Sequence, residues 1–289
     1  MSGISPDEAI VPAESLSNAP TGSAAGTDDD KPRRRRIYPT ILRALTFTQN
    51  TSAAVFAGFL TLHLVSPLAA AVGGSSLADK TMMISRDVYL PLEIPLIYLP
   101  LTLHLSSSLL KRLLITYRTR RPPALLSNTH LLTGYLFIAL LIPHTALHRL
   151  IPSSPSAPVS ALSPAELDFS FVGWSIQRYP VWSTLGYLAL VTVGSLHAGI
   201  GAMKIVSYFR PKRRDMGLGV KQPDTEGQEP RRVVPKRRKL GLRGILVALV
   251  GIVAVGLVRI RSDTGLVGRV MEKRYEAVYA RLLGGAIMP

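Results

Sequence analysis

The sequence predicts an all-α fold: a polytopic membrane bundle of five transmembrane helices behind a disordered N-terminal tail. Five apolar stretches, at about 50–71, 90–112, 130–150, 182–205 and 240–258, have the length to cross a bilayer. Each holds roughly 19 to 23 residues, enough at about 1.5 Å per residue for a hydrocarbon core of about 30 Å. The 289 residues combine 47% hydrophobic content and a mean hydropathy of +0.25 with a net charge of +16. Those values coexist when apolar and basic residues occupy separate blocks. Loop charge supplies the third observation, because strongly basic loops alternate with neutral ones.

Residues 1–44 read as a disordered cytosolic tail. The first 30 are rich in Ser, Ala, Pro, Gly and Asp and contain no apolar signal region. Asp28, Asp29 and Asp30 argue against an acid-poor mitochondrial presequence. The tail ends in base: Lys31 to Arg43 holds six basic residues, four of them in the run Arg33 to Arg36.

The first stretch, TSAAVFAGFLTLHLVSPLAAA, is followed by a loop in which Lys80 and Arg86 balance Asp79 and Asp87. In the second, Pro91, Pro95 and Pro100 each remove a backbone donor and should kink the helix. The loop after it carries Lys111, Arg112, Arg118, Arg120 and Arg121. The loop after the third stretch is neutral, and Ser207 to Lys239 after the fourth has eleven basic and four acidic residues. The fifth stretch, GILVALVGIVAVGLV, has no polar side chain. Residues 45–262 therefore form the five-span domain and 263–289 a C-terminal tail. The positive-inside rule places the N-terminus in the cytosol. Basic runs such as Lys236 to Lys239, lying beside membrane spans, point to topology and anionic lipid at the basic loops and not to nucleic acid.

There is no cysteine. Disulfides, thiolate metal sites, iron–sulfur clusters and thioether-linked haem are thereby excluded. No P-loop, dinucleotide fingerprint or G-x-S-x-G elbow is present, so the chain does not read as an enzyme.

All six histidines fall within the first four stretches. Ionisable groups in hydrocarbon are costly and mark candidate sites. Counting rise per residue from each span centre puts His63 level with His144, and His104 level with His197. Such pairs fit two bis-histidine haem b sites, in which neutral imidazoles ligate the iron, with Arg149 placed for a propionate. They fit equally a set of histidines that hydrogen-bond across helices without a cofactor. His130 and His148 lie nearer the interfaces. Glu93 is the one acid within a span, close enough to its end to snorkel. Thr61, Ser106, Ser107, Ser108, Thr192 and Ser195 would line a lipid-headgroup path or back-bond to their own helices.

The third-span run GYLFIALLIPHTALHRLIP and the fourth-span run GYLALVTVGSLHAGIGAMKI, with five spans and a basic N-terminal tail, resemble a fungal family. It is the Mdm-ten-complementing family of mitochondrial outer-membrane adaptors, and the resemblance covers roughly residues 45 to 260. It implies an integral outer-membrane protein in lipid homeostasis that recruits a bridge-like lipid-transfer protein and helps lipids equilibrate between leaflets. The family's transmembrane domain is in turn similar to the haem b anchors of succinate dehydrogenase and fumarate reductase. In dihaem anchors of that kind the first and third histidines pair, as do the second and fourth. Recruitment in the family resembles capture of a Pro-x-Pro peptide, and no two prolines here are spaced i, i+2.

Overall fold

The computed structural model describes residues 30–121, 125–210 and 236–284; side chains at 30–37, 236–240 and 242 are left out of the description. The described residues are helical or looped, with no strand among them. The chain divides into two units, Met1–Leu42 and Arg43–Pro289. What is described of the first is helix from Asp30 onward, part of α1 (Asp30–Tyr89). Residues 30–44 are thus helical where the sequence reading expects disorder. The remaining tail, and most of the basic stretch Ser207 to Lys239, lie outside the described residues.

In the second unit α1 runs on to a break at Gly73 and Gly74, where Gly74 takes φ 63°. A Cβ at Gly74 would strike the Asp263 carboxylate. Breaking a helix frees backbone groups that need partners in lipid. Here the end of α6 supplies them. Asp263 Oδ2 accepts from the Ser75 amide at 2.9 Å, and Arg259 Nη1 donates to the Val72 carbonyl at 2.9 Å. Past the break, α1 continues to Tyr89.

The second stretch is not a uniform span. A turn leads into a π-helical turn at Ile94–Tyr98 and then into α2 (Leu99–Thr119). Pro95 and Pro100 sit near the starts of these pieces, where a missing amide costs least. Among the described residues four helices, not five, are long and apolar enough to cross a membrane: Tyr38–Tyr89, Thr129–Leu150, Pro180–Phe209 and Arg243–Asp263. The expected second span falls short because the sequence dilutes it with Ser106, Ser107 and Ser108, then Lys111 and Arg112.

Next, α3 (Thr129–Thr145) is capped by Asn128, whose side chain accepts from the Leu131 amide at 3.2 Å. Pro143 lies inside it, and a π-helical turn, Ala146–Leu150, follows. The loop 151–168, α4 (Phe169–Arg178), α5 (Pro180–Phe209), α6 (Lys236–Asp263) and α7 (Arg269–Leu282) complete the order. α3 and α5 run antiparallel and close, with Gly134 beside His197 and Gly194 beside Phe137. α6 runs parallel to α1, and Gly256 lets it approach the Pro67 carbonyl. Small residues at such crossings are how helices associate where no hydrophobic force separates helix from lipid.

The largest buried cluster is not in the middle of the bundle. Val159, Leu162, Leu167, Phe171, Trp174, Tyr275, Val278 and Tyr279 pack at one end, under the 151–168 loop, α4 and α7. The stretch expected as a C-terminal tail therefore folds back as a helix and closes a cap. Along the spans, Val65, Ile142, Leu185 and Val255 stay exposed on the outside, as lipid-facing residues should.

Candidate functional site: two histidine clusters and an apolar cavity

The histidines gather in two clusters. Toward the capped end, the His63 and His144 rings meet edge-on with centroids 6.0 Å apart, and His144 and His148 are 4.7 Å apart. Phe59 stacks on His63, and His148 Nε2 lies 3.2 Å from the Tyr187 hydroxyl. Toward the opposite end, His104 and His197 meet at 6.2 Å, and His130 stacks on His197 at 4.3 Å with planes 8° apart. His104 Nδ1 lies 3.1 Å from the Gln49 carbonyl, and His197 Nδ1 3.2 Å from the His130 carbonyl. A carbonyl can only accept, so in both rings Nδ1 carries the proton and donates. The helices thus bring together the two histidine pairs that were read as level, along with His130 and His148.

The haem b assignment is corrected. Among the described residues no group of three or more His, Cys, Asp or Glu side chains could hold a metal ion. His63, His104, His144 and His197 are accordingly not an iron ligand set. Their neighbours are other rings, a tyrosine and backbone carbonyls, the arrangement of histidines that tie helices together.

Arg149 is likewise not placed for a propionate. Its Nε and Nη2 donate to Glu93 Oε1 and Oε2 at 2.8 and 2.7 Å. Tyr98 donates its hydroxyl to Glu93 Oε1 at 3.2 Å. A guanidinium fork on a carboxylate is a strong, oriented pair. Glu93, expected to snorkel, is instead fastened to the π-helical turn that ends the third span.

An apolar cavity of about 450 Å³ lies between α3, α5 and α7. Pro143, His144, His148, Trp182, Tyr187 and Tyr279 are among its walls. Most of the lining is carbon, and the polar atoms face one another: Tyr187 lies between His148 and Ser175. Of the hydroxyls considered for a headgroup path, three turn back on their own helices. Thr61 donates to the Ala57 carbonyl, Ser106 to Thr102 and Ser107 to Leu103.

The cap has an electrostatic frame that the sequence reading missed. Arg274 donates to Glu166 at 2.6 Å and to the Val159 carbonyl at 2.9 Å. Glu166 also accepts from the Ser163 amide at 2.8 Å. Those two donors, the Ser163 amide first, hold the Glu166 carboxyl down at about 2. The Tyr275 hydroxyl donates to the Glu166 carbonyl, and burial pushes that phenol up. Arg86 donates to the carbonyls of Pro164 and Leu167, and Arg281 to Ser154 Oγ at 2.6 Å. The arginines and their partners here are 78 to 127 residues apart in the chain, so no local pattern announces them.

Charge divides between the two ends. All eight acidic residues whose side chains are described lie at the capped end, from Asp79 and Asp87 on α1 to Glu272 and Glu276 on α7. At the opposite end the described charged side chains are all basic, among them Lys111, Arg112 and Lys204.

Residues 139–270 match a family model described as MDM10-complementing protein 1, transmembrane domain. The matched stretch begins within α3, ends at the start of α7, and includes His144, His148, Arg149 and His197 but not His63, His104 or Glu93. It supports the first resemblance over a shorter range than the 45 to 260 expected. No curated protein and no solved structure matches, and the likeness to succinate dehydrogenase and fumarate reductase anchors finds no support.

Proposed function

We propose that this protein is a non-catalytic adaptor integral to the mitochondrial outer membrane, acting in lipid homeostasis. The observation that carries the reading is the family match over residues 139–270, which spans the cap loop, α4, α5 and α6. Four apolar helices of spanning length agree with an integral protein. In this reading the N-terminus is cytosolic, because the basic loops share its side under the positive-inside rule. The tail and the basic loops then face a lipid-transfer protein and the anionic lipids of the cytosolic leaflet. Without a Pro-x-Pro motif in the chain, that partner is held by another peptide or by a loop.

The test uses the full chain, tagged at its C-terminus, in fungal cells. It should resist carbonate extraction, fractionate with outer-membrane markers, and expose its N-terminal tail to protease in intact mitochondria. Crosslinked pull-downs should enrich a bridge-like lipid-transfer protein, and deletion of the gene should change mitochondrial phospholipid ratios. Fractionation away from mitochondria, or no lipid-transfer partner together with unchanged lipids, rejects the reading.

A further inference from the structure

At the capped end acidic and basic side chains are mixed; at the opposite end the described charged side chains are all basic. Lys111 and Arg112 on α2 are half-buried, and Lys204 on α5 lies in the electrostatic field of both. Among the described residues no salt bridge reaches any of the three, and the sequence has no acidic residue between Glu93 and Glu166. Arg112 is held in place over the Tyr135 ring at 5.6 Å, which spans α2 to α3. Like charges gathered at the end of a bundle repel, and a bound anion relieves that repulsion.

Below the three cations the polar surface continues inward. Ser108 is one helical turn from Lys111 and Arg112 on the same face of α2, and its Oγ is buried without a hydrogen-bond partner. His130 lies in the field of Lys204 and Arg112, packs on Gly201 of α5, and has a buried Nδ1 that is also unpartnered. Buried polar atoms usually find partners. Two orphans beside a cation cluster with no carboxylate among the described side chains mark a place for a ligand with several acceptor oxygens.

We propose that Lys111, Arg112 and Lys204 form a headgroup site for an anionic phospholipid, its phosphate held between α2 and α5 with Ser108 and His130 on the inner side. A lipid fits better than a free phosphate because the flanking surface is apolar and exposed: Leu109, Leu110 and Leu113 on α2, and Met203 and Val206 on α5. The acyl chains lie against those residues while the headgroup meets the cations. The site rests on the membrane-spanning bundle of the preceding reading and not on its adaptor role.

The experiment uses the full chain purified in mild detergent. Mixed micelles contain either phosphatidylcholine alone or phosphatidylcholine doped with phosphatidic acid, and retained lipid is read by native mass spectrometry with thermal melting alongside. The wild-type chain should retain phosphatidic acid selectively and melt higher with it. Changing Lys111, Arg112 and Lys204 together to Gln should weaken retention on the order of a hundredfold, and Lys204→Gln alone about fivefold. The charge-preserving set Lys111→Arg, Arg112→Lys and Lys204→Arg should keep selectivity. Changing Arg261, Arg269 and Lys273 to Gln at the capped end removes the same charge and should leave retention unchanged. Selectivity surviving the Gln set, or lost equally in the capped-end set, overturns the site. If the triple variant does not fold, unchanged retention in Lys204→Gln overturns it instead. Inorganic phosphate that displaces the lipid at millimolar concentration assigns the site to a free anion and also overturns it. None of these readouts depends on recruitment of a protein partner, so failure here and failure of the adaptor reading are distinguishable.

Discussion

The two ends of the bundle are built on different principles. The capped end has an aromatic core, with Phe171 and Trp174 against Tyr275 and Tyr279, and an ionic frame around it. Ion pairs recur there, as Arg274 with Glu166, Arg149 with Glu93 and Arg178 with Glu276. The basic end has exposed helix surface and cations without carboxylates among the described side chains. A self-satisfied end acts as structure, and an unsatisfied one has free energy left for a ligand. Mutation should therefore damage stability at the cap and binding at the basic end.

The largest effect should come from the cap core. Phe171→Ala removes a side chain that is 1% exposed and should cost about 3–5 kcal/mol. Arg112→Gln at the basic end should shift stability by only about 0.5 kcal/mol. Thermal melts of the detergent-solubilised chain separate the two, and equal losses would break the contrast.

Next is the break in α1. Gly74→Ala places a Cβ at φ 63° and against the Asp263 carboxylate, and should cost about 1–3 kcal/mol. Gly58→Ala, with nothing within 4 Å of the added carbon, should be neutral or slightly stabilising. Denaturant titration of the two variants would show the difference, and a neutral Gly74→Ala would mean the break is not held by α6.

The Glu93–Arg149 pair comes third. Glu93→Gln leaves one hydrogen bond to a neutral amide and should cost about 1.5–3 kcal/mol. Arg149→Lys should recover part of the charge but not the fork. A melt of Arg149→Lys no lower than wild type would show that the bidentate geometry is dispensable.

The smallest effect is a pH dependence. Folding lowers the Glu166 carboxyl to about 2, below the ordinary glutamate value of about 4.3. Its contribution is complete above that ordinary value and is lost as pH falls toward about 2. The carboxylate is partly exposed, so the effect is modest and screened by salt. Glu166→Gln should flatten the acid limb of stability between about pH 4.3 and about 2. A limb unchanged by the substitution would place the acid sensitivity on other carboxylates.

Periodicity and span length were enough to level His63 with His144 and His104 with His197, because helical rise is nearly constant. The same arithmetic had no access to what surrounds each ring, so it could not tell helix-tying histidines from ligands. Arg149 shows the same limit. Its partner lies 56 residues away on a turn whose course depends on Pro91 and Pro95. The second stretch is less apolar than the other four because three serines, Lys111 and Arg112 dilute its leucines. Charge balance says only that the 151–168 loop is neutral, and does not show that its apolar residues Val159, Leu162 and Leu167 supply part of the largest buried cluster.

The sequence by itself determined helical, membrane-spanning architecture and the separation of basic from neutral loops. Long apolar runs can satisfy their own backbone in lipid only as helices, and loop charge needs no tertiary contact to be counted. Only the tertiary structure decided that the C-terminal segment returns as a cap, that Asp263 and Arg259 close the break in α1, and that Lys111, Arg112 and Lys204 gather with no acid among the described side chains. Those outcomes depend on which distant side chains meet. Pairing across 50 to 190 residues is set by packing, and local composition does not encode it.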